Sequence, residues 1–355
     1  MKYVKLDKLC DITMGQSPDS SSYNDKGIGL PFFQGKSEFG KIYPTAKMYC
    51  TEPKKTAQPL DILMSVRAPV GDVNISNIDC CIGRGLCSIR CKNNINYKYI
   101  YYYLLTQKKV LESQSTGSTF KAINKSIVSE LEIPLQDLDT QNKIVKILDK
   151  AQELIDKRKE QMELLDELVQ SRFLEMFGNP ITNSKNLSVK NFEEVIVLQR
   201  GYDLPTYKRD ESGAYNVWGS NGILSKHNEY KVNTEGVITG RSGSLGNVYY
   251  TKEPYWPLNT TLFSKDTCGN NVVYLTYLLR FYDLKRFSNG TGVPTLNRNL
   301  LNGEKIIDVP LALQEEFANF VEKVNDIKMV LNKSLEQLNN NFDSLINRAF
   351  KGELF

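Results

Sequence analysis

The stretch DILMSVRAPVGDV, from Asp61 to Val73, has a counterpart, GVITGRSGSLGNV, from Gly236 to Val248, and the two align without a gap. Both read as an apolar triplet, a small and basic Gly/Ser/Arg loop, then Gly, a carboxylate or amide, and Val. Self-similarity at a fixed long spacing constrains a fold more than any single motif. The repeat also extends beyond this element. YIYYYLL (99–105) matches YLTYLLR (274–280) at the same spacing, STGSTFKAINKSIV (115–128) parallels NGTGVPTLNRNLL (289–301), and LEIPLQ (131–136) parallels IIDVPLA (306–312). Each half is expected to run through a strand-rich segment, a short aromatic helix, a Gly/Ser/Thr loop and an extended IPL or VPL exit.

A long helical pattern follows each exit. From Gln141, seam positions fall at Ile144, Leu148, Ala151, Ile155, Arg158, Met162, Leu165, Val169, Arg172 and Met176. The second copy, in the same register, gives Phe317, Val321, Val324, Lys328, Leu331, Leu335, Leu338, Phe342, Leu345 and Ala349. Steps alternating between four and three residues are a coiled-coil seam, and neither copy holds a Pro or Gly that would break it. Each helix has one apolar face, so the nearest partner is the other copy, packed antiparallel. A 37-residue helix is about 55 Å long, which would hold two globular units at opposite ends of a rod. Arg158, Arg172 and Lys328 interrupt the seams; they either fix register or sit at its edge and contact another subunit.

Enzymatic chemistry finds little material here. An amino-methyltransferase needs an Asn/Asp-Pro-Pro-aromatic element, whereas GNPI (178–181) has one proline and no aromatic. No G-x-x-x-x-G-K-[ST] loop occurs, and the single histidine, His227, cannot supply a hydrolase triad or a histidine-rich metal site. Pro18-Asp19 followed by Glu52-Pro53-Lys54 has the spacing of a metal-dependent nuclease, but Pro53 would break the central strand which that chemistry requires. Cys80, Cys81, Cys87 and Cys91 lack zinc-knuckle spacing and are expected as buried thiols in apolar strands. No catalytic residue, metal or cofactor is assigned to the chain. The N-terminus lacks the apolar core of a signal peptide and no run of 18 apolar residues occurs, so no membrane association and a cytoplasmic location are expected.

Charge is distributed unevenly. Residues 1–140 hold 18 Lys/Arg against 14 Asp/Glu and 181–308 hold 15 against 12, while 141–180 and 309–355 are slightly acidic, at 7 against 8 and 5 against 7. The basic excess therefore sits in the two long units. Their repeated loops supply the residue types that contact phosphates and base edges: QGKS (34–37), SVRAP (65–69), IGRG (82–85) and TGSTFK (116–121) in the first, and WGSNG (218–222), GRSGS (240–244), PLNTT (257–261) and TGVPTLNR (291–298) in the second. If the units bind nucleic acid, the candidate contacts are Gln34, Lys36, Arg67, Arg84, Ser118, Lys121, Ser220, Asn221, Arg241, Ser242, Asn259, Thr260 and Arg298. The tyrosines at 97, 99, 101, 102 and 103 admit base stacking. The second copy retains Tyr274, Tyr277 and flanking leucines at helical spacing, which favours a core-packing face.

Two variable units, each followed by a similar long helix, with LVQSRFLEMFGNP (168–180) closing the first helix and SLINRAFKGELF (344–355) closing the second, resemble the specificity subunit of type I restriction-modification systems. The IPLQDLDTQNKIV and VPLALQEEF helix starts, and the TGSTFKAINK and TGVPTLNR loops, are also similar to that family. The resemblance implies two target-recognition domains, each reading one half of an asymmetric, bipartite double-stranded DNA site through the major groove. It further implies helices that set the gap and dock two methyltransferase subunits carrying adenosylmethionine, and two motor-nuclease subunits completing an ATP-dependent complex. The expected fold is α+β: two similar mixed α/β target-recognition domains separated by two long helices packed as an antiparallel coiled coil, in a pseudo-two-fold internal repeat. Its expected parts are a first target-recognition domain at 1–140, a central spacer helix at 141–180, a second domain at 181–308 and a C-terminal spacer helix at 309–355, with Arg158, Arg172 and Lys328 as candidate partner contacts. The alternatives are a coiled-coil scaffold that binds only proteins and a self-contained DNA-modifying enzyme.

Overall fold

The computed structural model describes every residue except 1, 117–120 and 290–293. The chain forms two compact units: residues 1–158 together with 334–355, and residues 159–333. Among the described residues no helix is long and apolar enough to cross a membrane.

Unit one is built on a four-stranded antiparallel sheet in the order Cys10–Met14, Leu86–Cys91, Ile62–Ser65, Val73–Ile75. Ile62, Leu63 and Met64 are all fully buried, as expected of a strand covered on both faces, which reads as a continuous apolar run rather than an alternation. A second, mixed sheet of five short strands holds Leu30–Phe33 parallel to Cys80–Ile82. A small ladder pairs Lys2–Lys5 with Glu132–Leu135. Asp61, which opens the repeated element, is buried; it accepts hydrogen bonds from Nε and Nη2 of Arg90, each at 2.8 Å, and from the Ser88 hydroxyl at 2.8 Å, so this carboxylate is structural.

The aromatic helix spans Tyr97–Thr106 and is started by Asn96, whose side chain accepts the Lys98 N–H. Its tyrosines belong to the core. Tyr99 stacks obliquely on Phe350 with centroids 5.1 Å apart, and its hydroxyl donates to the Pro134 carbonyl. Tyr102 donates to Asp149 at 2.7 Å, and Tyr103 to the Glu132 carbonyl at 2.7 Å. Cys80, Cys81 and Cys87 are buried in strands, and burial pushes the Cys87 thiol up to about 12. Glu52, Pro53 and Lys54 lie between the strands Met48–Cys50 and Thr56–Ala57 and outside both.

Unit two repeats this plan strand for strand in its main sheet. The order is Val197–Arg200, Thr261–Asp266, Gly236–Gly240, Val248–Thr251, again all antiparallel. Val189–Asn191 pairs with Lys305–Ile307, and the aromatic helix recurs at Val272–Tyr282. The mixed sheet keeps its parallel pair, Tyr215–Gly219 beside Tyr255–Pro257, but has three strands instead of five.

The long helices run Leu138–Phe177 and Leu311–Lys351, 40 and 41 residues. The first stops at Gly178, whose φ of +69° is a left-handed helix-ending conformation. All twenty seam positions are buried or half-buried. Within unit two the helices are antiparallel: Arg172 meets Glu316 at 2.8 Å while Asp166 meets Lys328 at 2.6 Å, and Phe173 packs edge-on against Phe317. Arg172 and Lys328 thus bridge one helix to the other at the margin of the seam, and Arg158 is half-buried on the first helix. In unit one Ile144, Val145 and Leu148 share a core with Ile346, Ala349 and Phe350.

Candidate nucleic-acid interface

The loops that follow the repeated apolar triplets are fixed by main-chain hydrogen bonds. In unit one the Val66 N–H donates to the Gly85 carbonyl at 2.9 Å and the Val66 carbonyl accepts the Ile123 N–H at 2.9 Å. In unit two the Arg241 N–H donates to the Thr260 carbonyl at 2.8 Å, and the Arg241 carbonyl accepts the Leu296 N–H at 2.8 Å. The splice is the same, and the side chain it carries is not: Val66 is buried, Arg241 is half-buried and lines a cleft. The next residue pairs across to the returning loop in both units, Arg67 with Ala122 and Ser242 with Thr295. By the same register Arg84 corresponds to Asn259.

In unit one the splice opens a cleft of about 280 Å³ lined by Gln34, Gly35, Lys36, Ser37, Arg67, Ala68, Arg84 and Gly85. A Cβ on Gly85 would lie 2.3 Å from the Gln34 carbonyl, so only glycine lets these loops meet. Arg67 and Arg84 are exposed. Lys36 is tied to Asp72 at 2.8 Å, and Asp72 also takes Lys108 at 2.7 Å. Burial works to raise the Asp72 carboxyl; Lys108 and Lys36 more than reverse it and hold it below the usual carboxylate range. Lys121 joins through its carbonyl, which accepts the Ala68 N–H at 3.0 Å, with its side chain exposed. Ser118 lies outside the described residues.

The cleft of unit two, about 440 Å³, is lined by Arg200, Arg241, Asn289, Asn297, Arg298 and Asn299. Arg298 is exposed, and one of its nitrogens reaches the Leu198 carbonyl at 3.4 Å. The Thr260 carbonyl also accepts the Ser242 N–H, at 3.2 Å, which brings Ser242, Asn259 and Thr260 to the same wall. Asn259 donates its amide to Asp203, which pairs with Arg200 at 3.5 Å. Ser220 and Asn221 form the turn of a hairpin that rests on the 240–247 loop: Asn221 accepts the Asn247 amide at 3.2 Å, and a Cβ on Gly240 would touch Ser220.

Sequence reading missed Arg200, Asn289 and Asn299, and had Asn297 only as part of the TGVPTLNR loop. A signal for Arg200 existed: it precedes Gly201, the counterpart of Gly15, since the Gly15 N–H bonds to Leu86 as the Gly201 N–H bonds to Thr261. The step from Gly15 to Gly201 is longer than the step from Leu86 to Thr261, because the segments connecting these strands to the rest of the sheet differ in length. An ungapped comparison cannot see it. Both clefts combine exposed guanidiniums, amides and main-chain donors on a basic unit, and this set suits phosphate and base-edge contacts.

A sequence profile described as the type I restriction modification DNA specificity domain matches residues 1–164 and 184–340. A putative type I restriction enzyme MjaX specificity subunit from Methanocaldococcus jannaschii is 47% identical over 161 residues, 44% of this chain and 38% of that protein, so the match spans well under half of that relative's length. The type I restriction enzyme MjaIX specificity subunit of the same organism is 25% identical over 337 residues, 82% of this chain and 77% of that protein. The crystal structure of a type I restriction-modification system S subunit from M. genitalium superposes over 98% of this chain and 96% of that one, with a TM-score of 0.60 at 18% identity, a likeness of fold.

Proposed function

Since the chain belongs to the type I restriction-modification specificity family, we propose that its two units each read one half of an asymmetric, bipartite double-stranded DNA site through the major groove. The observation that carries this reading is the main-chain splice at Val66 and Arg241, one backbone built twice that presents different side chains. Gln34, Lys36, Arg67, Arg84 and Lys121 would serve one half-site; Ser220, Asn221, Arg241, Ser242, Asn259, Thr260 and Arg298 the other, joined by Arg200 and Asn297. Ser118 belongs to the first set by its loop alone.

The long helices set the separation of the half-sites and dock two methyltransferase subunits that bring adenosylmethionine and perform adenine methylation. Two motor-nuclease subunits complete an ATP-dependent restriction complex in the cytoplasm. This chain contributes recognition and holds no cofactor of its own. Exposed Leu164, Leu168, Ile327, Met329 and Val330 on the long helices support the docking role, and Arg158, Arg172 and Lys328 are further candidate contacts.

Mapping methylated adenines in a genome with and without this gene tests the reading. Loss of methylation at one bipartite motif is expected on deletion. An unchanged methylation map, together with DNA affinity that does not weaken as salt rises, would leave the chain a protein-binding scaffold.

A further inference from the structure

In unit two, Tyr215–Gly219 and Gly222–His227 form a hairpin whose register slips between Val217 and Trp218. Val217 faces Ser225 and Trp218 faces Ile223, so Leu224 is left out of the register and the strand bulges there. In a regular strand Ile223 and Leu224 would point to opposite faces. The bulge turns both toward solvent, with exposures of 56% and 58%, while the neighbouring Gly222 and Ser225 stay buried. Water gains nothing from two adjacent aliphatic side chains. They follow the Ser220–Asn221 turn after the single residue Gly222, and that turn rests on the loop carrying Arg241 and Ser242. Among the described residues of unit one the corresponding strands, Leu30–Phe33 and Met48–Cys50, also pair antiparallel, but a long segment, 34–47, joins them in place of a tight turn and begins with a short 3-10 turn at Lys36–Glu38.

Resting on the proposed DNA reading, the geometry points to Ile223 and Leu224 as specificity-determining residues that contact thymine C5-methyl groups in the major groove. The methyl is the apolar group a standard base pair offers there, and a two-stranded ribbon fits that groove. Ser220 and Asn221 supply the hydrogen-bonding partners beside it. A bulge re-aims side chains at functional positions, which accounts for a hairpin that gives up its alternation at its tip. The half-site read by unit two therefore contains at least one thymine on the strand face that meets the hairpin.

The test uses the full chain with its methyltransferase partners and duplexes carrying the mapped site, in which thymines of each half are replaced by uracil, which lacks only the methyl. Wild-type protein is expected to lose about fourfold in affinity per contacted methyl in at least one half. Ile223→Ala/Leu224→Ala is expected to bind the thymine and uracil forms of that half equally, while keeping its discrimination, if any, in the other half and its salt-dependent affinity for unrelated DNA. Equal binding of both forms by the wild type, or undiminished discrimination by the double variant, overturns the assignment while DNA recognition stands. Failure of the wild-type protein to bind the thymine duplex overturns the underlying reading and this one with it.

Discussion

Gln141 and Gln314, in the first turns of the two long helices, make the same pair of hydrogen bonds. Each is 1% exposed. Gln141 accepts the Asn96 N–H at 2.9 Å and donates to the Gln136 carbonyl at 2.9 Å; Gln314 accepts the Asn271 N–H at 2.9 Å and donates to the Val309 carbonyl at 2.7 Å. Asn96 and Asn271 cap the aromatic helices, so each glutamine anchors that helix to the start of a long one. Replacing either with Leu keeps the volume and leaves an N–H and a carbonyl of half-buried or buried residues without these partners. A loss of about 1–3 kcal/mol is expected, read as a lower denaturant midpoint at unchanged slope. A shift too small to measure would mean that the surrounding backbone re-pairs.

Gly15 and Gly201 hold corresponding strands close to the cleft walls. A Cβ would fall 2.1 Å from the Gly83 carbonyl in one case and 2.1 Å from the Leu258 carbonyl in the other. Both obstacles are main chain and cannot swing away. Gly15→Ala and Gly201→Ala are each expected to cost about 1–3 kcal/mol in thermal unfolding. Gly303→Ala, with open space around it, should leave the midpoint within about half a kcal/mol.

Asp72 gives unit one a pH dependence whose sign is fixed. Its folded-state pKa lies below the ordinary value, because Lys108 and Lys36 outweigh the effect of burial. The carboxylate's contribution is therefore complete above the unfolded-state pKa, about 3.9, and disappears as pH falls through the folded-state value. Stability of Asp72→Asn measured against the parent from neutral pH downward should show a deficit that closes in acid. A deficit independent of pH would show that Asp72 acts through packing alone.

For recognition, Arg67→Ala and Arg298→Ala are each expected to weaken binding to the mapped site by about 1–3 kcal/mol and to relax preference at one base position, in different half-sites. Competition assays with single-base variants read this directly. Loss that is uniform over all sequences, with a salt slope smaller by about one, would assign that arginine to a phosphate instead.

Regular features of the chain were legible because they are long. Five heptads leave twenty positions to agree, and all twenty avoid exposure. Tyr274 and Tyr277 identified the aromatic helix as a packing face for the same reason. Short pairings carry no such signal. Thr56–Ala57 is a strand only because Cys80 and Cys81 lie beside it, and no local pattern distinguishes five strands in one mixed sheet from three in the other. The bulge at Leu224 is equally silent, since it is defined by its partner strand. The cleft loops were readable as Gly/Ser/Arg turns, but Lys36 and Asp72 lie far apart along the chain and are joined through tertiary structure alone.

The division of the long helices between the two units has a consequence for biosynthesis. Ile346, Ala349 and Phe350 complete the core that Tyr99, Ile144 and Leu148 begin, so the ribosome must translate all of unit two before unit one can close. At about 5–20 residues per second, the nascent N-terminal part waits on the order of ten seconds or more with an apolar helix face uncovered. A premature stop after Lys333 would spare every strand of both main sheets and still leave unit one without that wall of its core, so a truncation just past unit two should be felt first in unit one.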